Sequence, residues 1–386
     1  MPLLERINGF HHELMAIRHD LHAHPELGFE EVRTSGIVAA YLEALGIEVH
    51  RQIGGTGVVG ILKGRQGDGP RVGLRADMDA LPIEEHTNLP FASRTPGRMH
   101  ACGHDGHTTM LMGAARYLAE TRNFAGTAVF IFQPAEEGLG GARAMLKDGL
   151  FERFPCDEIF GLHNAPDLPA GKIAAFAGPA MAGADFFDIV ITGKGGHGAR
   201  PHAANDPVIV AMALGQALQT IVSRNADPMQ MAVLSITQIH AGAAYNVIPN
   251  EARMAGTVRI FDADLRLQIQ ARMRELAAGI AQAFGVEIDV DIRDIFSVLQ
   301  NAEQPTSHVI DVAREIVGED NLLLEPKPHT GSEDFADMLH AVPGSYFFLG
   351  QGHDVPVHNQ GYMFDDTILP VGASMLARIV ERRLAV

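Results

Sequence analysis

The sequence predicts an α/β protein. Its catalytic domain is expected to be a mixed, largely parallel sheet, interrupted by a ferredoxin-like α/β insert. Three observations carry this expectation. Short apolar strand signals alternate with helical stretches as far as Asn164, a β-α-β-β-α-β order fills the middle of the chain, and the α/β rhythm resumes at the C-terminal end. At 386 residues the chain is long for one core, which agrees with a division into domains.

In chain order, Leu3 to Leu21 reads as one amphipathic helix, and Thr34 to Leu45 as a second that Gly46 stops. Arg71 to Ala76 is a short apolar strand. His107 to Thr121 is a helix with Met110, Leu111, Ala114 and Leu118 on one face. Thr127 to Phe132 and Ile159 to Leu162 are further strands, rich in Val, Ile and Phe. This βαβ succession calls for parallel strands with helices on both faces. From Phe187 the pattern changes: Phe187, Ile189 and Ile191 alternate with Asp188, Val190 and Thr192. A helix (Pro207 to Arg224), two strands (Met231 to His240, Ala252 to Ile260), a long helix (Asp264 to Phe284) and a strand alternating with Glu287, Asp289 and Asp291 (Val286 to Ile292) follow. The expected division is residues 1–182 with 298–386 for the catalytic domain and 183–297 for the insert. A strand at Ser345 to Leu349 and a helix at Val371 to Arg383 complete the outer domain.

Composition narrows the function. Hydrophobic residues make up 46 %, enough for a sizeable core, and the formal net charge is −17. So acidic a chain repels phosphate backbones, so nucleic acid is not an expected partner. Charged residues and histidines interrupt Met1 to Met15, and no run of 18 apolar residues occurs, so the expectation is a cytoplasmic protein with no membrane partner. Two cysteines, Cys102 and Cys156, make no disulfide framework, while 19 histidines favour a metal or acid/base site.

The polar residues that matter follow apolar strands: Asp77 and Asp79, Glu136 and Glu137, His163, and His358 in the loop after the last strand. In open α/β sheets ligands bind beyond the carboxyl ends of the strands, so these side chains are expected at one edge. Cys102 and His104 add a thiol and an imidazole just ahead of a helix, flanked by glycines. A lone cysteine is usually a small buried hydrophobe, and a lone His163 would be read as a core histidine. As a set, Cys102, His104, Glu137, His163 and His358 are candidate ligands for Zn²⁺ or Mn²⁺, with Co²⁺ or Ni²⁺ also compatible. Five ligands exceed what one catalytic ion usually takes from protein; two ions about 3.5–4 Å apart, with a bridging carboxylate, account for the surplus. In the pair Glu136-Glu137 one carboxylate can bind metal while the other accepts a proton from water. The pair follows an apolar strand and Gln133-Pro134, which argues against a solvated acidic turn.

These motifs resemble the peptidase M20 family, within it the branch of hippurate hydrolases, N-acetyl-amino-acid deacetylases and auxin-conjugate hydrolases. The matching stretches are RADMDALPI (Arg75 to Ile83), MHACGHDGHTTML (Met99 to Leu111), FQPAEEG (Phe132 to Gly138), GLHN (Gly161 to Asn164), GKGGHGARPH (Gly193 to His202), NVIP (Asn246 to Pro249), GTVR (Gly256 to Arg259), SEDF (Ser332 to Phe335) and PVHN (Pro356 to Asn359). The resemblance implies two divalent ions per subunit on Cys102, His104, Glu137, His163 and His358, with Glu136 as general base. It implies that Asp79 supports the metal site, that His197 reaches the neighbouring subunit's active site, and that Asn246 and Arg259 lie near the substrate. It further implies a homodimer, or a tetramer, whose insert serves as lid and dimerisation domain, and hydrolysis of a small-molecule N-acyl amino acid. Some branches carry His at the position of Asp77; this chain does not, which leaves Asp77 outside the ligand set.

Gly55 to Gly60 fits GxGxxG, but Val58 to Lys63 continues as a strand where a dinucleotide site needs a helix, so it reads as a hairpin. The pair His22 and His24 closes a helix before Pro25. No GxSxG elbow occurs. Two rival readings are Cys102 as a nucleophile with His104 as its base, and a non-enzymatic, metal-bound protein on the same fold. Glu136, which the metals do not need, argues against the second.

Overall fold

A computed structural model describes residues 3–324 and 326–385. Contacts divide the chain into two compact units. The first comprises Met1–Ala180, Gln300–Lys327 and Asp334–Val386; the second comprises Met181–Leu299 and Pro328–Glu333. The main segment of the second unit, 181–299, is accompanied by a short later segment, 328–333.

The first unit opens with α1 (Leu3–Asn8) and α2 (His11–Ala23). The single helix expected there is broken because Gly9 and Phe10 close the first one, their amides donating to Arg6 and Ile7 carbonyls. After α3 (Val32–Ala44), strands β1 (Glu48–Ile53) and β2 (Gly57–Lys63) pair as an antiparallel hairpin, and the GxGxxG stretch is its turn and second strand. Then come β3 (Arg71–Asp77), α4 (His104–Thr121), β4 (Thr127–Gln133), α5 (Gly141–Lys147), β5 (Glu158–Ala165) and β6 (Ile173–Ala174). Helix α4 begins three residues before the expected start, so His104 lies in its first turn.

The second unit runs β7 (Gly183–Thr192), β8 (Gly196–His197), α6 (Pro207–Thr220), β9 (Ala232–Ala241), β10 (Val247–Ile248), β11 (Glu251–Ile260), α7 (Ala263–Phe284) and β12 (Glu287–Phe296). Its main sheet has the order β9-β11-β7-β12, antiparallel throughout, which is the ferredoxin-like arrangement. Asp206 and Asp262 cap the two helices by accepting amides of their first turns. Val210, Leu214, Leu218, Leu265, Ile269 and Met273 bury against Phe187, Ile189 and Ile191 of the sheet. Helix α6 stops at Thr220 rather than Arg224, the next five residues forming a π turn.

The chain returns to the first unit with α8 (Glu303–Val317), β13 (Leu322–Leu323), α9 (Phe335–Ala341), β14 (Gly344–Gly350) and α10 (Leu369–Arg383). The large sheet has the order β1-β2-β4-β3-β5-β14-β6-β13, and its four central strands β4, β3, β5 and β14 are mutually parallel. The register pairs Asp77 with Gln133 and His163 with Phe348, so the carboxyl ends of these strands form one edge. The core beneath it is large, with Leu74, Leu111, Leu118, Phe130, Phe132, Phe160, Phe347 and Ile379 fully enclosed. Helices α4 and α10 meet closely at Gly372, where a Cβ would lie 2.2 Å from the Met110 sulfur. Among the described residues no helix is long and apolar enough to cross a membrane.

Candidate metal centre

Each candidate ligand is delivered by a different element of the first unit. Cys102 precedes α4 and His104 opens it. Between them Gly103 has φ +95°, and a Cβ there would meet Asn164 Oδ1 at 2.3 Å, so only glycine lets the chain turn so close to β5. His163 lies within β5, Glu137 beyond β4, and His358 in the loop after β14. The amide of His358 donates to the Ala101 carbonyl over 2.8 Å, tying that loop to the segment carrying Cys102.

The ligand atoms converge. Cys102 Sγ is 3.3 Å from His163 Nε2, and His358 Nε2 is 3.2 Å from Glu137 Oε1. His104 Nε2 is 3.9 Å from the same Glu137 oxygen. The donor atoms of Cys102, His104 and His163 all lie within 4.8 Å of one another, as do those of Cys102, Glu137 and His358, and those of His104, Glu136 and Glu137. Cys102 is common to the first two groups, so the five side chains make two adjacent sets sharing a thiol.

The second ring nitrogens of His163 and His104 are already engaged. His163 donates from Nδ1 to the Asn164 carbonyl over 2.6 Å, and His104 donates from Nδ1 to Asp79 Oδ1 over 3.3 Å. Both imidazoles therefore present Nε2 to the cluster, the orientation that outer partners impose on ligating histidines. His104 Nε2 and Glu137 Oε1 are buried with no hydrogen-bond partner. Such atoms are costly to bury unless something else satisfies them, and a cation does. The donor set and its orphaned atoms thus fit a divalent metal pair. The Cys102 thiol and then the Glu137 carboxylate beside it push the His358 imidazole up to about 10, whereas burial and then Glu137 raise the Cys102 thiol.

Asp77 also approaches the cluster, its Oδ2 3.8 Å from His104 Nε2, and the donor atoms of Asp77, His104 and His107 lie within 4.8 Å of one another, but its oxygens are already engaged. It is buried, with Oδ1 2.7 Å from His107 Nδ1 and Oδ2 accepting Arg75 Nη1 over 2.7 Å. His107 Nε2 is 2.7 Å from Asn164 Oδ1. Arg75 in turn donates to Gln133 and Asp334. This ladder, Gln133-Arg75-Asp77-His107-Asn164, links β4, β3, α4 and β5 directly below the ligands. His107 and Asn164 were within recognised motifs but had no assigned part; only pairing between elements reveals one. Glu136 is 6 % exposed. Asp79 holds the backbone next to it, accepting the Glu137 amide over 3.0 Å.

Three candidate residues belong to the second unit. His197 and Asn246 come together there: His197 pairs with Val247 in the β8-β10 ribbon, and the Gly198 amide donates to the Asn246 carbonyl over 2.8 Å. Arg259, on β11, is half-buried, donating to Thr257 and to the Val258 carbonyl and lying 5.9 Å from the Phe186 ring centre.

The profile of the peptidase family M20/M25/M40 matches residues 73–382. The chain is 44 % identical over 384 residues to the hippurate hydrolase of Campylobacter jejuni, covering 100 % of both chains. It is 42 % identical over 374 residues to an N-acetylcysteine deacetylase of Bacillus subtilis, covering 96 % of this chain and 97 % of the relative. A crystal structure of a Bacillus subtilis protein described as a dinuclear metal binding peptidase from the M20 family superposes with a TM-score of 0.86 at 38 % identity, covering 98 % of this chain and 99 % of the other. The fold and the full-length likeness together define a metal-dependent amidohydrolase. The chain belongs to peptidase family M20/M25/M40.

Proposed function

We propose that the enzyme hydrolyses the amide bond of N-acyl amino acids, hippurate-like or N-acetylated, giving a carboxylic acid and a free amino acid. The observation that carries this is the pair of ligand sets sharing Cys102, with the buried Glu136 within 4.8 Å of the His104 and Glu137 donor atoms. Two divalent ions held there, Mn²⁺ or Zn²⁺, would supply Lewis acidity to the scissile carbonyl and acidify the attacking water. Cys102, His104 and His163 would hold one ion, and Cys102, Glu137 and His358 the other.

Glu136 takes the proton of the attacking water and hands it to the leaving nitrogen, so the acyl carbon gains hydroxyl as the C–N bond breaks. Asp79 fixes the tautomer of His104 and the backbone of Glu137. The partner subunit's His197 donates to the oxyanion in a homodimer, Asn246 lies beside it, and Arg259 pairs with the substrate carboxylate. The thiol-nucleophile reading is disfavoured because burial and Glu137 raise Cys102, the reverse of what a free nucleophilic thiolate needs. A screen of hippurate and N-acetyl amino acids, with metal content measured in parallel, tests the proposal. The expected result is about two ions per chain and turnover that chelation abolishes and Mn²⁺ or Zn²⁺ restores. Turnover that survives chelation would instead support the thiol reading.

A further inference from the structure

The backbone on either side of Glu136 is gripped by buried carboxylates. On the C-terminal side Asp79 accepts the Glu137 amide over 3.0 Å. On the N-terminal side Glu31 Oε1 accepts the Ala135 amide over 2.8 Å. Ala135 is fully buried and has φ +53°, a left-handed conformation that is unfavourable for a side-chain-bearing residue. That turn swings the chain off β4 and aims Glu136. The Ala135 carbonyl accepts the Gly141 amide over 3.0 Å, and Gly28 backs the corner, where a Cβ would lie 3.0 Å from Ala135 Cα.

Glu31 occupies the N-cap position of α3 but makes no capping bond. Glu26 caps instead, accepting the Arg33 and Thr34 amides over 2.9 and 2.8 Å. Glu31 is thereby released to turn fully inward, where its other oxygen accepts the Thr56 hydroxyl. Burial pushes its carboxyl up to about 7 against those hydrogen bonds. An apolar side chain here would leave the buried Ala135 amide without this acceptor, so the carboxylate ties the corner beside Glu136 to the start of α3.

We propose that Glu31 is a positioning residue for the reaction: by holding the Ala135 amide, with Thr56 orienting its carboxylate, it fixes the strained corner that aims Glu136. The proposal rests on Glu136 being the general base, and a double-mutant cycle keeps the two ideas apart. Hippurate hydrolysis and metal content are measured for native enzyme, Glu31→Ala, Glu136→Gln and the double variant. Glu31→Ala should lower kcat about tenfold to a hundredfold, as an ångström-scale misplacement does, with KM within about threefold and metal content unchanged. In the Glu136→Gln background the same change should have no further effect on the residual rate. An equal loss in both backgrounds, no loss at all, or loss of metal alongside activity overturns the positioning role. Near-native turnover of Glu136→Gln itself would instead remove the general-base reading, and the proposal with it. Should Glu31→Ala not fold, Thr56→Val carries the same cycle; it should lower kcat severalfold in the native background only, and an unchanged kcat there overturns the proposal.

Discussion

Glu136 and Glu137 are adjacent and chemically identical, and their surroundings separate them. Glu137 directs one buried oxygen at the Nε2 atoms of His104 and His358, at 3.9 and 3.2 Å, and has no hydrogen bond on it. Glu136 is enclosed at the end of β4, on a corner whose neighbouring amides are held by Glu31 and Asp79. Glu136→Gln is expected to keep both fold and metal, since amide and carboxylate are nearly isosteric, and to lose about two to four orders of magnitude in kcat, the range general-base catalysis supplies. Glu137→Gln should lose metal. Metal analysis beside steady-state rates checks both, and near-native turnover of Glu136→Gln would overturn its assignment. The chemistry-bearing types were legible in the sequence because Glu136, Glu137, His163 and His358 followed apolar strands, and Cys102 and His104 preceded a helix, in ordered motifs. The ladder beneath them was not. Arg75, Asp77, His107 and Asn164 meet only because β3, α4 and β5 pack at a particular register, and single-sequence spacing carries no register.

At the scale of elements, α2 is pinned to the start of α4 by buried charge. Arg18 donates to Asp105 over 3.2 Å; His22 donates from Nδ1 to Asp105 over 2.8 Å and from Nε2 to Glu85 over 3.3 Å. Two donating ring nitrogens mean an imidazolium. Burial alone would lower His22, but the Asp105 hydrogen bond and charge override it and raise its pKa from 6.5 to about 9. Because the folded value lies above the unfolded one, the stabilisation is complete below pH 6.5 and is lost as pH rises through 9. The shift amounts to about 3 kcal/mol. Denaturant unfolding at pH 6.5, 8 and 9.5 should show native enzyme losing stability relative to His22→Gln across that window; parallel curves would exclude the ion pair as its source. Elements with strong periodicity, such as β4 and the insert's strands, were legible to within a few residues. The break at Gly9, the early start of α4 and the turn that makes Ala135 left-handed were not, because backbone closure at particular hydrogen bonds decides them. Helix α8 shows the opposite failure: its buried Pro305, Val309, Val312 and Ala313 carry a helical spacing that was readable and had no place in the expected outline.

At the scale of the whole molecule, the proposed assembly makes the strongest demand. His197 lies exposed on the β8-β10 ribbon of the second unit, while every candidate ligand lies in the first. If His197 acts on the partner's reaction, two inactive chains can repair each other. Glu136→Ala and His197→Ala are dissociated together and reassociated in equal amounts, with exchange verified by a tag on one chain. In a mixed dimer one site receives both defects and the other receives neither. Random pairing makes half the dimers mixed, each with one intact site of two, so about a quarter of native activity should return for a two-fold symmetric dimer. If His197 served its own chain, each site would lack one group or the other in every combination and activity would stay at background. Recovery near a quarter also requires equal partition of the chains, so a titration of the mixing ratio should trace a curve with its maximum at equal amounts. A flat response with exchange confirmed would exclude the shared site while leaving the metal centre and the role of Glu136 untouched.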